Sequence, residues 1–198
     1  TIGMVGLVDD LSKKMTLDFK GENDVIYLLG QIRNDLSSSQ YLSKICGVAM
    51  SPAPAFDLDE EFELQQVVSE LIKNGAIQSA HDISEGGLFT ALLESGFHRE
   101  LGFTVNATKE DVRKDAFLFG ESASRIIVTI KPGHVETFEA DLRKRNISFT
   151  ALGSVTSQEI TINGESWGDI TDWKELYDTA IEKHLVKELD AEGALRIF

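Results

Sequence analysis

The sequence predicts an α+β sandwich in which helices cover one face of a mixed β-sheet. Strand–helix–strand units occur twice, one starting near residue 77 and the other near residue 125. Apolar residues recur at helical spacing between the strands, and 42% of the 198 residues are hydrophobic, enough for a sizeable core. No low-complexity linker or repeat divides the chain, so we expect one compact domain.

Helices and strands follow from the local patterns in chain order. Residues 24–30 predict a buried strand that ends at a glycine. Residues 58–74 predict an amphipathic helix, and Asn74-Gly75 is typical of a left-handed cap at its end. We expect further strands at 77–81, 103–106, 125–131 and 148–155, a hairpin at 160–167, and helices at 85–97, 109–117, 132–145 and 173–185.

The two ends of the chain predict segments outside the domain proper. Thr1 begins inside an apolar, strand-like run without a basic leader, so we expect residues 1–20 to be an arm or strand from a preceding domain. Residues 21–190 then form the domain, and residues 191–198 form a frayed tail. Residues 37–54 predict a loop that holds one short helix around Tyr41.

Charge and cysteine content narrow the classes of function. The chain has 33 acidic and 19 basic residues, a net charge of −14, which argues against binding nucleic acid or an anionic membrane. Cys46 is the one cysteine, so no internal disulfide forms and a reducing cytoplasm fits. We expect Cys46 to be a half-buried structural thiol.

The first polar motif covers residues 80–88, Ala-His-Asp-Ile-Ser-Glu-Gly-Gly-Leu, where a strand meets a helix. Ser84 is suited to cap the helix, and Gly86 and Gly87 allow close approach to backbone N–H groups that favour an anion. Asp82 offers carboxylate oxygens of the kind that Mg²⁺ prefers. An alternative stays open, in which the glycines only let the helix pack tightly on the sheet.

The second polar motif covers residues 118–125, Leu-Phe-Gly-Glu-Ser-Ala-Ser-Arg, before a strand. Its carboxylate, hydroxyl and guanidinium groups are able to recognise a ribose, an amide or a phosphate. The alternative is a polar turn whose Glu121 and Arg125 pair with other parts of the fold. The remaining histidines, at 98, 134 and 184, lack metal-ligand spacing.

The two motifs, together with residues 24–30, resemble the formylglycinamide ribonucleotide amidotransferases, also called phosphoribosylformylglycinamidine synthases. More narrowly, residues 2–190 look like the C-terminal domain of the synthetase subunit. The wider superfamily includes aminoimidazole ribonucleotide synthetase. That cyclising enzyme usually has a Thr-Gly-Gly-Gly run in the first motif, so the Ser-Glu-Gly-Gly of residues 84–87 fits the amidotransferases better.

The resemblance implies a ferredoxin-like sheet of about four strands, in an ATP-dependent ligase of purine biosynthesis. The full enzyme would use ATP and Mg²⁺ to convert formylglycinamide ribonucleotide to formylglycinamidine ribonucleotide with glutamine-derived ammonia. Its implied partners are an upstream ATP-gripping domain of the same chain and a glutaminase domain or subunit. A homodimer of the fragment is left open, because an exposed apolar N-terminal strand favours pairing.

Carried over residue by residue, the resemblance implies a metal-binding role for Asp82 and no catalytic residue in this fragment. The catalytic half of the family has Ser-Glu-Ser-Gln in the second motif, whereas Gly120 and Ala123 replace its first and last residues here. We therefore expect the pseudo-symmetric, structural half-site domain, inactive in isolation. Another superfamily member and a non-catalytic scaffold are the alternatives. The implied substrate-binding residues are Glu121, Ser122, Ser124 and Arg125, and the implied nucleotide-binding residues are His81, Ser84, Gly86 and Gly87.

Overall fold

A computed structural model describes residue 3, residues 5–106 and residues 112–193. Within this part, seven strands form one mixed sheet in the order β2-β4-β1-β5-β3-β6-β7. All neighbouring strands are antiparallel except β3 and β6, which are parallel. The strands are β1 (Val25–Leu29), β2 (Ser79–Asp82), β3 (Gly102–Val105), β4 (Ile126–Ile130), β5 (Phe149–Thr156), β6 (Glu159–Ile162) and β7 (Glu165–Asp169).

Five α-helices pack around the sheet. Short turns of 3₁₀-helix (Leu11–Lys13 and Pro132–His134) and one π-helical turn (Tyr41–Ile45) occur between the larger elements. The helices are α1 (Leu58–Lys73), α2 (Gly87–Phe97), α3 (Lys114–Phe119), α4 (Val135–Lys144) and α5 (Ile170–Gly193).

Helices cover both faces of the sheet, and successive side chains of a strand point alternately into the two resulting cores. In β1, Ile26 and Leu28 join a core with residues of α2, α3 and the start of α5. Tyr27 and Leu29 join a second core with residues of α1 and α4. The near-continuous apolar sequence of β1 follows from this double burial.

The α+β class with a mixed sheet is confirmed, but two details of the expectation are corrected. The sheet has seven strands rather than about four, and helices lie on both faces rather than one. Helical spacing shows which face of each helix is apolar, but it does not show on which side of the sheet that helix lands. The parallel pairing of β3 with β6, which adds the β6–β7 hairpin to the sheet, is equally invisible to local pattern.

Three local expectations are also corrected. Cys46 is exposed rather than half-buried. The helix expected at 109–117 is α3, Lys114–Phe119; residues 109–111 of the expectation lie outside the described residues. The last helix, expected at 173–185, runs from Ile170 to Gly193 and so enters the expected tail, whose residues 194–198 are outside the described part.

The segment before residue 21 contributes to the packing of the domain. Phe19 is fully buried in the core, and its N–H donates to the carbonyl oxygen of Ser95 (2.8 Å). Asp18 accepts a hydrogen bond from Arg99 Nε (2.9 Å). Residues 5–12 are exposed, and the assignment of residues 1–20 to an arm or strand of a preceding domain stays a prediction. Among the described residues, no helix has the length and hydropathy needed to cross a membrane.

Candidate functional site

The sheet brings the two polar motifs side by side. Strand β2 leads into the first motif and β4 leads out of the second, and these strands are antiparallel neighbours. Asp82 pairs with Ile126, and the N–H of Ile83 donates to the carbonyl oxygen of Arg125 (3.0 Å). Motifs about 40 residues apart in sequence therefore form one site.

Glu121 ties three segments of the chain together. Its Oε1 accepts the N–H of Gly86 (2.9 Å) from the first motif and the N–H of Gln40 (2.8 Å) from the long loop before α1. Hydrogen bonds to a charged carboxylate are stronger than neutral ones. The Glu121 carboxylate thus occupies the place beside the α2 N-terminus where an external anion was expected.

Arg125 is a buried cation that holds the second motif from inside. The residue is 3% exposed. Its Nε donates to the carbonyl oxygen of Ser122 (3.0 Å), and its Nη2 donates to that of Gly120 (2.6 Å). Burial, together with the nearby Arg33 charge, lowers the pKa of Arg125 to about 10 against the opposing effect of Asp35. The Arg125 guanidinium therefore stabilises the turn formed by residues 120–125 of its own chain.

The glycines of the first motif make room for the protein's own chain. Gly87 has φ +73°, and a Cβ there would lie 2.7 Å from the Cα of Phe119 at the end of α3. Gly86 has φ +84°, and a Cβ there would collide with the side chain of Thr90. Both values lie in the left-handed region that favours glycine. The close approach predicted at these residues is made by the end of α3 at Gly87 and by Thr90 of α2 itself at Gly86.

The helix cap differs from the expectation. Gly86, in left-handed conformation, is the N-cap of α2, and no side chain caps it. Ser84 is exposed and instead accepts the N–H of Gly87 through its backbone carbonyl (3.1 Å). The sequence suggested Ser84 because serine favours N-caps, but the glycine pair moves the start of the helix two residues along.

His81 points toward α2 rather than toward the glycine turn. Its Nδ1 lies 3.1 Å from the carbonyl oxygen of Ala91 and 3.2 Å from Ser95 Oγ. Its Nε2 lies 3.4 Å from Glu94 Oε2. Both ring nitrogens therefore have partners on α2, and the structure does not bring His81 together with Gly86 and Gly87.

The outer part of the site is a cleft of about 370 Å³. Ser124, with φ +60°, donates its hydroxyl to Glu61 Oε2 (2.7 Å) on α1. Asp82 lines the same cleft and is exposed. We call Gly87, Glu121 and Arg125 the inner layer of the site, and the exposed Asp82 and Ser84 its rim.

Ser122 is the one described residue with a buried side-chain polar atom that lacks a hydrogen-bond partner. It is 2% exposed, and its Oγ has none. Buried polar groups in native proteins usually have a hydrogen-bond partner. The Ser122 hydroxyl is therefore an exception within the second motif that the contacts of the domain do not explain.

The site does not present a ready cradle for a nucleotide and its metal. The N–H groups of Gly86 and Gly87 are already donated to Glu121 and to Ser84. Within the described residues, no three His, Cys, Asp or Glu side chains are grouped to hold a metal ion. Asp82 and Glu85 are the exposed carboxylates of the first motif, and Mg²⁺ is usually held by one or two carboxylates together with substrate phosphates. The backbone N–H groups of this motif are therefore not free to bind a nucleotide, and the metal-binding role of Asp82 stays a prediction.

Sequence reasoning missed the contribution of the loop before α1. Gln40 bonds to Glu121, and Tyr41 stacks on Phe119 with ring centroids 4.9 Å apart and planes inclined by 6°. Glu61 on α1 was also missed. The Gln40 contact runs through a backbone N–H, which no residue type signals; the Tyr41 aromatic ring was the one available clue.

Comparison with known proteins identifies the family. The model for the C-terminal domain of AIR synthase related proteins matches residues 21–163. The chain belongs to this family. The resemblance found from the two motifs is confirmed.

Curated members of the family are similar over most of this chain. The phosphoribosylformylglycinamidine synthase subunit PurL of Alkaliphilus metalliredigens is 40% identical over 181 residues, 87% of this chain and 24% of that protein. The PurL subunit of Symbiobacterium thermophilum is 42% identical over 160 residues, 79% of this chain and 21% of that protein. This chain spans about a quarter of the length of these relatives.

Solved structures share the AIR synthase-related fold. Thermotoga maritima PurL complexed with FGAR gives a TM-score of 0.68 at 16% identity, covering 81% of this chain and 29% of that one. Further T. maritima structures with this fold are PurL complexed with ATP and PurLQS. At such identities the likeness concerns the fold alone.

Proposed function

We propose that this chain is a C-terminal domain of a phosphoribosylformylglycinamidine synthase. The whole protein would be an ATP-dependent, cytoplasmic ligase that converts formylglycinamide ribonucleotide to formylglycinamidine ribonucleotide with glutamine-derived ammonia. The observation that carries the proposal is the 40% identity to a PurL subunit over 181 residues. The family match over residues 21–163 supports it.

Within that enzyme, we assign this chain to the pseudo-symmetric half whose motifs serve structure. Three features support this assignment. The Glu121 carboxylate is used by two backbone N–H groups, the Arg125 guanidinium by two carbonyl groups, and the Gly87 gap by α3. In this proposal ATP and Mg²⁺ act elsewhere in the full enzyme, because the side chains of Glu121 and Arg125 are already hydrogen-bonded to the backbone of the domain.

The proposed partners follow from the same assignment. An ATP-gripping domain of the same polypeptide would pack beside this domain, and a glutaminase domain or subunit would deliver ammonia. The shared fold with a chain of the PurLQS structure supports an assembly of more than one subunit. In this proposal Asp82 and Ser124 border the cleft, Ser122 is buried beside it, and none of the three performs chemistry.

Reconstitution tests the proposal. The upstream part of the reading frame is expressed separately, mixed with this chain, and assayed for ADP release that depends on formylglycinamide ribonucleotide and ammonia. We expect activity in the mixture and none from either part alone. Substrate-dependent ADP release by this chain alone would contradict the structural half-site, and an inactive mixture of two folded parts would contradict the assignment to this ligase.

A further inference from the structure

The loop before α1 contains a short segment, residues 40–46, with the local features of a hinged strap. Ser38 on one side has φ +55° and Gly47 on the other has φ +69°, and nothing lies within 4 Å of a Cβ placed at Gly47. Between them, the N–H of Cys46 donates to the carbonyl oxygen of Tyr41 (3.1 Å), closing a single π-helical turn. Isolated turns of this kind are rare and frequently occur at functional sites.

In the described structure, the strap is joined to the second motif by one hydrogen bond and one aromatic stack. The Gln40 N–H donates to Glu121 Oε1, and the Tyr41 ring lies flat on Phe119. The other hydrogen bonds of the strap stay within residues 39–48. Residues 43–46 are exposed. A segment with few buried contacts opens at a lower free energy than the core does.

The closed strap saturates the oxygen to which it binds. A carboxylate oxygen accepts about two hydrogen bonds, and Glu121 Oε1 already accepts those of Gln40 and Gly86. The chain just before the strap also packs closely against the second motif, because a Cβ on Gly120 would lie 2.5 Å from the carbonyl oxygen of Asp35. With the strap closed, no other N–H donor has a free position on this oxygen.

We infer that residues 40–46 are a latch that covers the second motif and opens by local unfolding, and that opening it frees one acceptor position on Glu121 Oε1. The bond to Gly86 keeps Glu121 in place when the strap leaves, so the motif persists in the open state. The inference concerns this chain's own contacts and holds whether or not the proposed ligase reaction is correct.

Peptide-resolved hydrogen exchange of the full-length protein that carries this chain tests the latch. Glu121→Gln removes the charge of the anchor and Tyr41→Ala removes the ring contact, each independently of the other. Exchange in peptides spanning residues 38–48 is expected to be faster than in β1 of the unmodified protein. Each variant is expected to raise it by roughly tenfold, the factor typical of one aromatic contact or charged hydrogen bond.

The control is Glu63→Gln, which neutralises an exposed glutamate of α1 and is expected to leave strap exchange unchanged. Strap exchange as slow as that of β1 in the unmodified protein would overturn the inference. Unchanged strap exchange in both anchor variants would overturn it as well. Equal acceleration in β1 and α4 would show that the anchors hold the whole fold, and this also contradicts a latch.

Discussion

The inner layer of the site and its rim differ in what their polar groups do. In the inner layer, the Glu121 carboxylate and the Arg125 guanidinium are hydrogen-bonded to the backbone of neighbouring segments. On the rim, Asp82 and Ser84 face solvent. A family motif can therefore persist because it joins strands and helices. Its residue types alone do not reveal whether they bind a ligand or the chain.

The largest effect is expected for Gly87→Ala in the inner layer. An alanine there must keep the left-handed backbone conformation of Gly87, and its Cβ must displace the backbone of Phe119. The free energy of unfolding should therefore fall by about 3 kcal/mol. Chemical denaturation measures it. Gly75→Ala is the matched control, because Gly75 has φ +64° but nothing within 4 Å of its Cβ, and about 1 kcal/mol is expected. Equal losses at both positions would refute the close packing of the motifs.

The next effect is expected for Arg125→Met. The substitution keeps much of the buried volume but leaves the carbonyl oxygens of Gly120 and Ser122 without their donor, a loss of about 2 kcal/mol. Thermal unfolding monitors the change. The same substitution at the exposed Arg113 should leave the melting temperature unaltered. A stable Arg125→Met protein would show that the guanidinium is not part of the fold's support.

A smaller, pH-dependent effect on stability is expected for Asp18, whose carboxylate is buried, unlike that of the exposed Asp82. Burial would raise the pKa of Asp18, but hydrogen bonds from Lys20, Thr16 and Arg99 outweigh it and hold the pKa well below its usual range. A folded-state pKa below the unfolded value gives stability that is present above about pH 4 and is lost as pH falls below it.

Asp18→Asn is therefore expected to lower stability at pH 7 by about 1 kcal/mol and to flatten the loss of stability between about pH 4 and pH 2. Urea unfolding across this pH range measures it. Asp169→Asn, at an exposed position on β7, is the control and should preserve the slope. An unchanged acid slope in Asp18→Asn would remove Asp18 from the set of stabilising charges.

The smallest effect is expected on the rim. Asp82→Asn should change the unfolding free energy by less than about 0.5 kcal/mol, because the side chain is exposed at the sheet edge. The same variant of the full-length protein should keep the turnover of the proposed ligase reaction. Loss of turnover without loss of stability would instead give Asp82 the metal-binding role that its motif implies.

Local sequence pattern predicted helices and strands well where the spacing of apolar residues is regular. The helical spacing that predicted residues 58–74 corresponds to α1, Leu58–Lys73, and the apolar run at 24–30 contains β1, Val25–Leu29. The pattern failed where distant segments decide. The strand order places β4 between β2 and β1, and neither this order nor the burial of both faces is written in any short stretch.

The site shows the same division. The sequence located both motifs and named Glu121 and Arg125, including the alternative that these two pair within the fold. It did not reveal that the end of α3 packs against Gly87 or that the N–H of Gln40 donates to Glu121, because both contacts are made by backbone atoms. Ser84 was misplaced as a cap for a related reason: two glycines in left-handed conformation overrode a residue preference.

The most direct test of the account is Glu121→Ala in the full-length protein, with unfolding and turnover measured on the same preparation. The substitution leaves the N–H groups of Gly86 and Gln40 without an acceptor, so stability should fall by about 2 kcal/mol. Turnover at a temperature where the variant is folded should stay within about twofold of the unmodified protein, less than the effect of losing one bound hydrogen bond. A fall in turnover of a hundredfold or more with unchanged stability would contradict the account and make Glu121 a ligand-binding residue.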